Sequence, residues 1–307
     1  MAKKIKGIDV SRYQGSIDFN KVKAAGIEFV MMRCGTGYRQ NACKDVKFET
    51  YYKQAKAAGL KVGTYFYSYA LTEKQARTEA AWVLDWIKGK QFEYPVVFDI
   101  EDKTQANLGV KTISNLIRAF CEIIEDAGYF VSVYSNLDWL RNRIDADCKS
   151  RYDIWLAQWA SKPTYTGQFG MWQYSATGNV KGISGPVDLD IAYKDYPAII
   201  KAAGLNGFSK TTTKPAVKPT VPAAPVKKPT PKPVVLKAGD KVTLNGVKLY
   251  SNYKTTKAQK QLLTGTYYIY DGVAFGNRYR ITNSAKRVNK KPAGLFVTGY
   301  VDKEDLV

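Results

Sequence analysis

The sequence predicts an α/β barrel of about eight strands and five helices, followed by a small all-β domain. Short apolar runs rich in β-branched and aromatic residues alternate with amphipathic stretches through the first 143 residues, the pattern of parallel βαβ units. Between residues 153 and 191 the helical signal fades and three short strands follow one another. After residue 236, β-prone runs are separated by Asn-Gly, Asp-Gly and Gly-Asn pairs, the chemistry of tight turns.

The first strand is Lys6 to Val10, and Asp18 is placed to cap a helix that Gly26 closes. Phe29 to Cys34 is the second strand, and Phe48 to Ala58 a helix stopped by Gly59. Val62 to Tyr69 is the third strand. Thr72-Glu-Lys-Gln75 then fits a capping box that opens a long helix to Lys88. Tyr94-Pro-Val-Val-Phe-Asp-Ile-Glu101 supplies the fourth strand, and Thr112 to Ala127, stopped by Gly128, the next helix. Phe130 to Ser135 is the fifth strand, and a short helix over 136–143 follows. Asp153–Trp159, Gly170–Tyr174 and Val187–Ile191 complete the eight strands that a barrel needs.

Residues 205–236 hold seven of the twelve prolines, with six lysines and no acid, the composition of a semi-rigid extended spacer. The expected division is therefore 1–204, a spacer over 205–236, and a β domain over 237–307, with strands at 241–244, 247–250, 265–270, 279–282 and 296–300. The net charge of +20 is uneven: +6 over 1–204, +6 over the spacer and +8 over the last 71 residues. So basic a C-terminal part points to an anionic partner: nucleic acid, anionic lipid or an anionic wall polymer. No nucleic-acid-binding signature supports the first.

The chain has no histidine, which excludes Ser-His-Asp and Cys-His catalysis and imidazole-ligated zinc. Its four cysteines show no CxxC spacing and read as buried free thiols, so no metal and no cofactor is expected. Lys3 and Lys4 are not followed by an apolar segment of signal-peptide type, and no stretch reaches membrane-spanning length. Synthesis in the cytoplasm, without membrane insertion, is the expectation.

Hydrolysis without histidine falls to carboxylates. Asp99 and Glu101 stand two apart where a buried strand ends, a spacing that puts side chains on the same side of a strand. Asp9 ends the first strand and Asp188 lies on the last. Barrel active sites are built at such strand ends. Tyr65, Tyr67, Tyr134 and Trp159 lie at strand ends as well, as candidate binding platforms or ordinary barrel packing. Arg33 could serve anionic groups of a substrate or pair with a pocket acid.

Gly7-Ile-Asp-Val-Ser-Arg-Tyr-Gln-Gly15, Gly63-Thr-Tyr-Phe-Tyr67, Val97-Phe-Asp-Ile-Glu101, Trp155-Leu-Ala-Gln-Trp159, Trp172-Gln-Tyr174 and Val187-Asp-Leu-Asp190 occur in that order. With them the first 200 residues resemble the glycoside hydrolase family 25 lysozymes, the muramidases of bacteriophages and bacteria. The resemblance implies an irregular TIM-like barrel. It also implies cleavage of the β-1,4 bond between N-acetylmuramic acid and N-acetylglucosamine in peptidoglycan. Glu101 matches the general acid, Asp99 the assisting carboxylate, and Asp9 and Asp188 the remaining pocket acids. Like charges so crowded should keep Glu101 protonated near neutral pH, and Asp190 adds one more where the family usually has Asn. Either the substrate's N-acetyl group or water could then attack.

The C-terminal part resembles, more weakly, the SH3-like wall-binding modules of bacterial lysins, through Gly265–Gly272, Tyr279–Asn283 and Val297–Tyr300. A phage endolysin that stays in the host cytoplasm until it reaches the wall is the setting this implies. A carbohydrate-binding protein that has kept the barrel without its activity is the alternative.

Overall fold

A computed structural model describes residues 4–37, 41–209, 236–250, 258, 262–275, 278–289 and 297–306. The chain divides into two compact units, 1–211 and 212–307.

In the first unit, strands β1 (Ile5–Val10), β2 (Phe29–Thr36), β3 (Cys43–Lys44), β4 (Lys61–Tyr67), β5 (Val96–Asp99), β6 (Val131–Asn136), β7 (Asp153–Ala157), β8 (Met171–Gly178) and β9 (Val187–Ala192) form one sheet. Its order is β1-β9-β8-β7-β6-β5-β4-β2-β3, and β1 also pairs with β2, so eight strands close into a barrel with β3 as a short hairpin on β2. Around the barrel wall the pairs β1–β2, β2–β4, β4–β5, β5–β6, β6–β7 and β7–β8 are parallel, while β3 runs antiparallel to β2. Strand β9 runs antiparallel to both neighbours.

Helices α1 (Phe19–Ala24), α2 (Phe48–Ala57), α3 (Glu73–Ile87), α4 (Val110–Asp126) and α5 (Leu137–Asn142) follow the expected spans. Asp18 accepts from the amides of Asn20 and Lys21, and Thr72 and Gln75 form the capping box. Two further helices correct the expected five: α6 (Ala146–Arg151) and α7 (Tyr196–Ala203). Both carry capping signals. Asp145 caps α6, while α7 has Asp195 before it, proline in its first turn and left-handed Gly204 at its end. Their brevity hid the periodicity.

The packing has two layers. Outward residues such as Val30, Val62, Phe66, Phe98 and Ile154 meet the helices, while Phe29, Met31, Tyr94, Val97, Trp155 and Tyr196 fill the interior. Phe29 and Tyr94 stack with ring centroids 4.2 Å apart in the lower half of the barrel. They fit because Gly7 and Gly63 face them; a Cβ at Gly7 would lie 2.2 Å from the Phe29 ring, and one at Gly63 2.6 Å from Tyr94 Cβ. Leu205 and Phe208, inside the stretch read as spacer, pack against this interior cluster.

In the second unit, β10 (Lys241–Lys248), β11 (Leu262–Phe275), β12 (Arg278–Thr282) and β13 (Gly299–Asp302) form a four-stranded antiparallel sheet in chain order. The two Asn-Gly and Asp-Gly pairs are not turns. Asn245-Gly246 lies at an irregularity in β10 and Asp271-Gly272 at one in β11, each glycine with φ of 68°. A left-handed glycine serves a bulge as well as a hairpin, so the expected strands at 241–244 and 247–250 are largely one kinked strand. Asn277 of the expected Gly-Asn turn, Phe296 and most of the spacer lie outside the described residues.

Asn206 holds the barrel's lower end. Fully buried with φ of 55°, it accepts from the Phe130 amide at 2.7 Å and donates to the carbonyls of Phe92 and Tyr94 at 3.0 and 2.8 Å. Asn206→Ala leaves three buried backbone groups unpaired and should lower stability by about 3 kcal/mol or more, read from denaturant unfolding. A loss below about 1 kcal/mol would mean that water replaces all three bonds.

Candidate active site

Side chains alternate across a barrel wall, so the packing of one residue fixes the direction of the residue two away. Val97 packs in the interior, hence Asp99 on the same strand points inward too. Ile8 and Val10 face the helices, hence Asp9 faces in. On β2 the same rule turns Arg33 inward with Met31, and on β8 it turns Gln173 inward with Met171. On β9, Asp188 and Asp190 share the face of Ala192.

The strand ends place these groups together. Asp9 stands opposite Asp188 in the β1–β9 register, and Asp99 stands opposite both Tyr67 and Tyr134. Glu101 lies beyond the end of β5, which the sequence reading extended to residue 101, so its direction comes from the following loop. Asp9, Arg33, Tyr65, Tyr67, Asp99, Glu101, Tyr134, Trp159 and Asp188 all line one cleft of about 270 Å³ at the barrel mouth.

Their surroundings differ. Asp9 and Asp99 are buried, at 5% and 4% exposure, while Glu101 and Asp188 are half-buried. Trp159 is 67% exposed on the rim, with its indole N–H donated to Gln173 Oε1 at 3.0 Å. Tyr134 is only 7% exposed; its hydroxyl donates to the same oxygen at 3.1 Å, and its ring meets Trp155 edge-on. It is a wall of the cleft with little face to offer a sugar. Arg33 pairs with Asp45 through Nε at 2.9 Å and a terminal nitrogen at 2.8 Å, and that acid does not line the cleft.

Burial pushes the Glu101 carboxyl up to about 7, and the charges of Asp102 and Asp188 add to it. Glu101 and Asp99 also act on each other, as two acids of one cleft must. Asp188 is pushed up to about 6 by burial. Asp99 is raised by burial and then by Glu101, against the pull of Arg33. Asp9 is raised by burial, then by Asp190 and Asp188, while the Gln173 amide opposes the shift. Acids so placed cannot all ionise together, so protons remain among them near neutral pH. A buried oxygen, Asp99 Oδ1, has no hydrogen-bond partner.

Several residues without an assigned role belong here. Tyr13 is 72% exposed on the rim, with the guanidinium carbons of Arg12 and Arg33 at 5.2 and 5.1 Å from its ring centre. Gln173 joins Tyr134 and Trp159 to Asp9, donating to Asp9 Oδ2 at 2.8 Å. Asp102 accepts from the Tyr67 hydroxyl at 3.1 Å and from Thr104. Asp102 directly follows Glu101, which was the one available signal for it. Tyr13, Trp155 and Gln173 sit within motifs whose spacing gives no individual role.

Fold and site together define an α/β barrel with a carboxylate-lined mouth, equipped for acid-assisted bond cleavage without histidine. The chain belongs to the glycosyl hydrolases family 25, whose family model matches residues 8–183. It is 32% identical over 187 residues to an autolytic lysozyme of Clostridium acetobutylicum, covering 61% of this chain and 55% of the relative. It is 30% identical over 201 residues to lysozyme M1 of Streptomyces globisporus, covering 60% and 66%. The chain thus spans between about half and two thirds of the length of these curated relatives. Among solved structures, a bacterial lysozyme from Streptomyces coelicolor superposes with a TM-score of 0.55 at 26% identity, covering 66% of this chain and 97% of that one. The modular autolysin LytC of Streptococcus pneumoniae, in complex with a synthetic peptidoglycan ligand, gives 0.56 at 26% identity, covering 62% and 47%.

Titration of Glu101 is testable without any substrate. Carboxyl NMR of the native protein should show it titrating near 7. In Asp102→Asn, which removes a neighbouring negative charge, that midpoint should move to lower pH. An unmoved midpoint would mean that burial and Asp188 set it without Asp102.

Proposed function

We propose that this chain is a peptidoglycan hydrolase, a muramidase that cleaves the β-1,4 bond between N-acetylmuramic acid and N-acetylglucosamine. The observation that carries this reading is Glu101: a carboxyl pushed up to about 7, half-buried in a cleft beside Asp99, in a chain of this family. Glycoside hydrolysis needs a protonated carboxyl for the leaving oxygen and a second group for the positive charge at the anomeric carbon. Glu101 donates the proton. Asp99, with one oxygen unpartnered, faces the charge or orients the substrate's N-acetyl group. If the N-acetyl oxygen attacks, the anomeric configuration is retained; direct attack by water inverts it. Asp9 and Asp188 complete the acid set. Exposed Trp159 and Tyr65 and Tyr67 along the wall supply faces for sugar rings.

The second unit is read as an SH3-like wall anchor, joined through the proline-rich spacer that begins after the barrel residues Leu205, Asn206 and Phe208. Its Arg278 and Arg280 are held by Asp302 and Asp271, so exposed lysines such as Lys241, Lys248 and Lys286 are the charges it offers to anionic wall polymers. The setting that fits is lysis of a bacterial host by a phage endolysin made in the cytoplasm and acting once it reaches the wall.

Mass spectrometry of digested peptidoglycan should find new reducing ends at muramic acid. Released peptides or reducing glucosamine ends would overturn the bond assignment. Glu101→Gln should lower turnover by about a thousandfold while wall binding persists, and full activity would sink the mechanism. A donor must be protonated, so kcat/KM should fall as pH rises through about 7. Removal of 237–307 should reduce binding to whole cells more than hydrolysis of soluble fragments; an equal loss of both would remove the anchor role.

A further inference from the structure

Helix α3 buries Ala76, Ala80, Val83 and Ile87 in the layer between the helices and the barrel wall. The same stripe carries an acid, Glu79, at 3% exposure. A carboxyl at a core position is costly unless its oxygens are bonded. Here both of them accept: Oε2 from the Ser68 hydroxyl at 2.6 Å and Oε1 from the Tyr69 amide at 3.0 Å. A Cβ at Gly37 would lie 2.0 Å from Oε1, so the acid is also packed against the chain just past β2, where only glycine leaves room. Among the described residues no charged group acts on it. Burial pushes it up to about 7, and the Ser68 and Tyr69 bonds oppose the rise.

The direction of the Ser68 bond follows from its neighbours. Ser68 Oγ accepts from the Ala70 amide at 3.1 Å and from Gln105 Nε2 at 3.4 Å. That nitrogen is oriented by its stronger bond to the Ala70 carbonyl, at 2.8 Å. With donors on that side, the hydroxyl hydrogen of Ser68 points to Glu79.

The turn held in this way is bonded to the acid-bearing segment. Ser68 donates its amide to the Asp99 carbonyl at 2.9 Å, and Tyr67 donates its hydroxyl to Asp102 at 3.1 Å. Strand β6 holds the other flank: the Ile100 amide donates to the Tyr134 carbonyl at 3.1 Å, and Ser135 Oγ donates to the Ile100 carbonyl at 2.7 Å. Glu101 takes its direction from the segment between these flanks.

We propose that Glu79 is a positioning residue: by accepting from Ser68 and Tyr69 it fixes the turn after β4, and that turn, through Ser68 and Tyr67, fixes the segment 99–102 on which Asp99 and Glu101 stand. Glu79 itself does not line the cleft. The inference rests on the reading of Asp99 and Glu101 as the reacting acids, but the first half of its test needs no hydrolysis.

Glu79→Gln keeps the shape of the side chain and changes its bonding. The new oxygen must face the Tyr69 N–H, which turns the NH2 group toward Ser68 Oγ, where Ala70 and Gln105 already donate. At pH 8 the native carboxyl is largely ionised. There, hydrogen exchange of the Ser68 amide, the donor to Asp99, should quicken about tenfold in Glu79→Gln. The Tyr94 amide, bonded to Val62 in the lower barrel, should exchange as before. On soluble peptidoglycan fragments kcat should fall about tenfold or more with KM unchanged. Ser68→Ala removes the same bond from its other end. It should lower kcat by a similar factor, and the double variant should be no slower than the slower single one.

An unchanged Ser68 amide, or exchange quickened equally at Ser68 and Tyr94, would overturn the hold of Glu79 on the turn. Unchanged kcat, a loss confined to KM, or factors that multiply in the double variant would overturn the positioning of the two acids. If the native chain proved not to hydrolyse peptidoglycan, the functional reading would fail by itself, and the exchange measurement would still decide whether Glu79 holds the Asp99 carbonyl.

Discussion

Alternation of side chains across a closed strand wall is the constraint from which the site follows. Once Val30, Val62, Phe98 and Ile154 are committed to the helices, their neighbours have only the barrel interior to enter. In the lower half that interior is filled by Phe29, Tyr94 and Tyr196. Toward the mouth the same inward positions carry Asp9, Arg33, Asp99, Gln173 and Asp188. The polar groups are therefore held by the packing that holds the fold together, and no flexible loop has to place most of them.

Placing carboxyls there works against their ionisation. Each leaves water for a site walled by Tyr65, Tyr134 and Trp155, and each is pushed toward its neutral form. Gln173, fixed by Tyr134 and Trp159, supplies the main opposing hydrogen bond at Asp9, while Arg33, itself held by Asp45, supplies the opposing charge at Asp99. A wall of tyrosine and tryptophan thus serves twice: it offers apolar surface, and its polar edges orient the amide that steadies an acid.

Much of this was legible in the sequence because it depends on period and composition. The strand-helix alternation through residue 143 and the acids at strand ends are local patterns, and each of the nine residues they single out lies on the cleft. The closure of β9 against β1, its antiparallel direction there and the bond of Gln173 to Asp9 are relations across more than 160 residues, with no local trace. Helices α6 and α7 escaped because six and eight residues are too few to show a period, although their capping residues were present. Asn245-Gly246 and Asp271-Gly272 carry the same signal in either role, because a left-handed glycine is required by hairpin and bulge alike. The dominance of burial over charge at Glu101 needed the walls of the cleft, which sequence spacing does not describe.

The stacked pair of Phe29 and Tyr94 has a consequence beyond stability. Among the described residues, those rings and Asn206 fill the lower end of the barrel, so the cleft opens at the mouth. A long polymer cannot be threaded past the acids end first; it has to lie across the mouth and come to them sideways. On the proposed reading, bonds in the middle of a glycan strand are then as reachable as those at its tips.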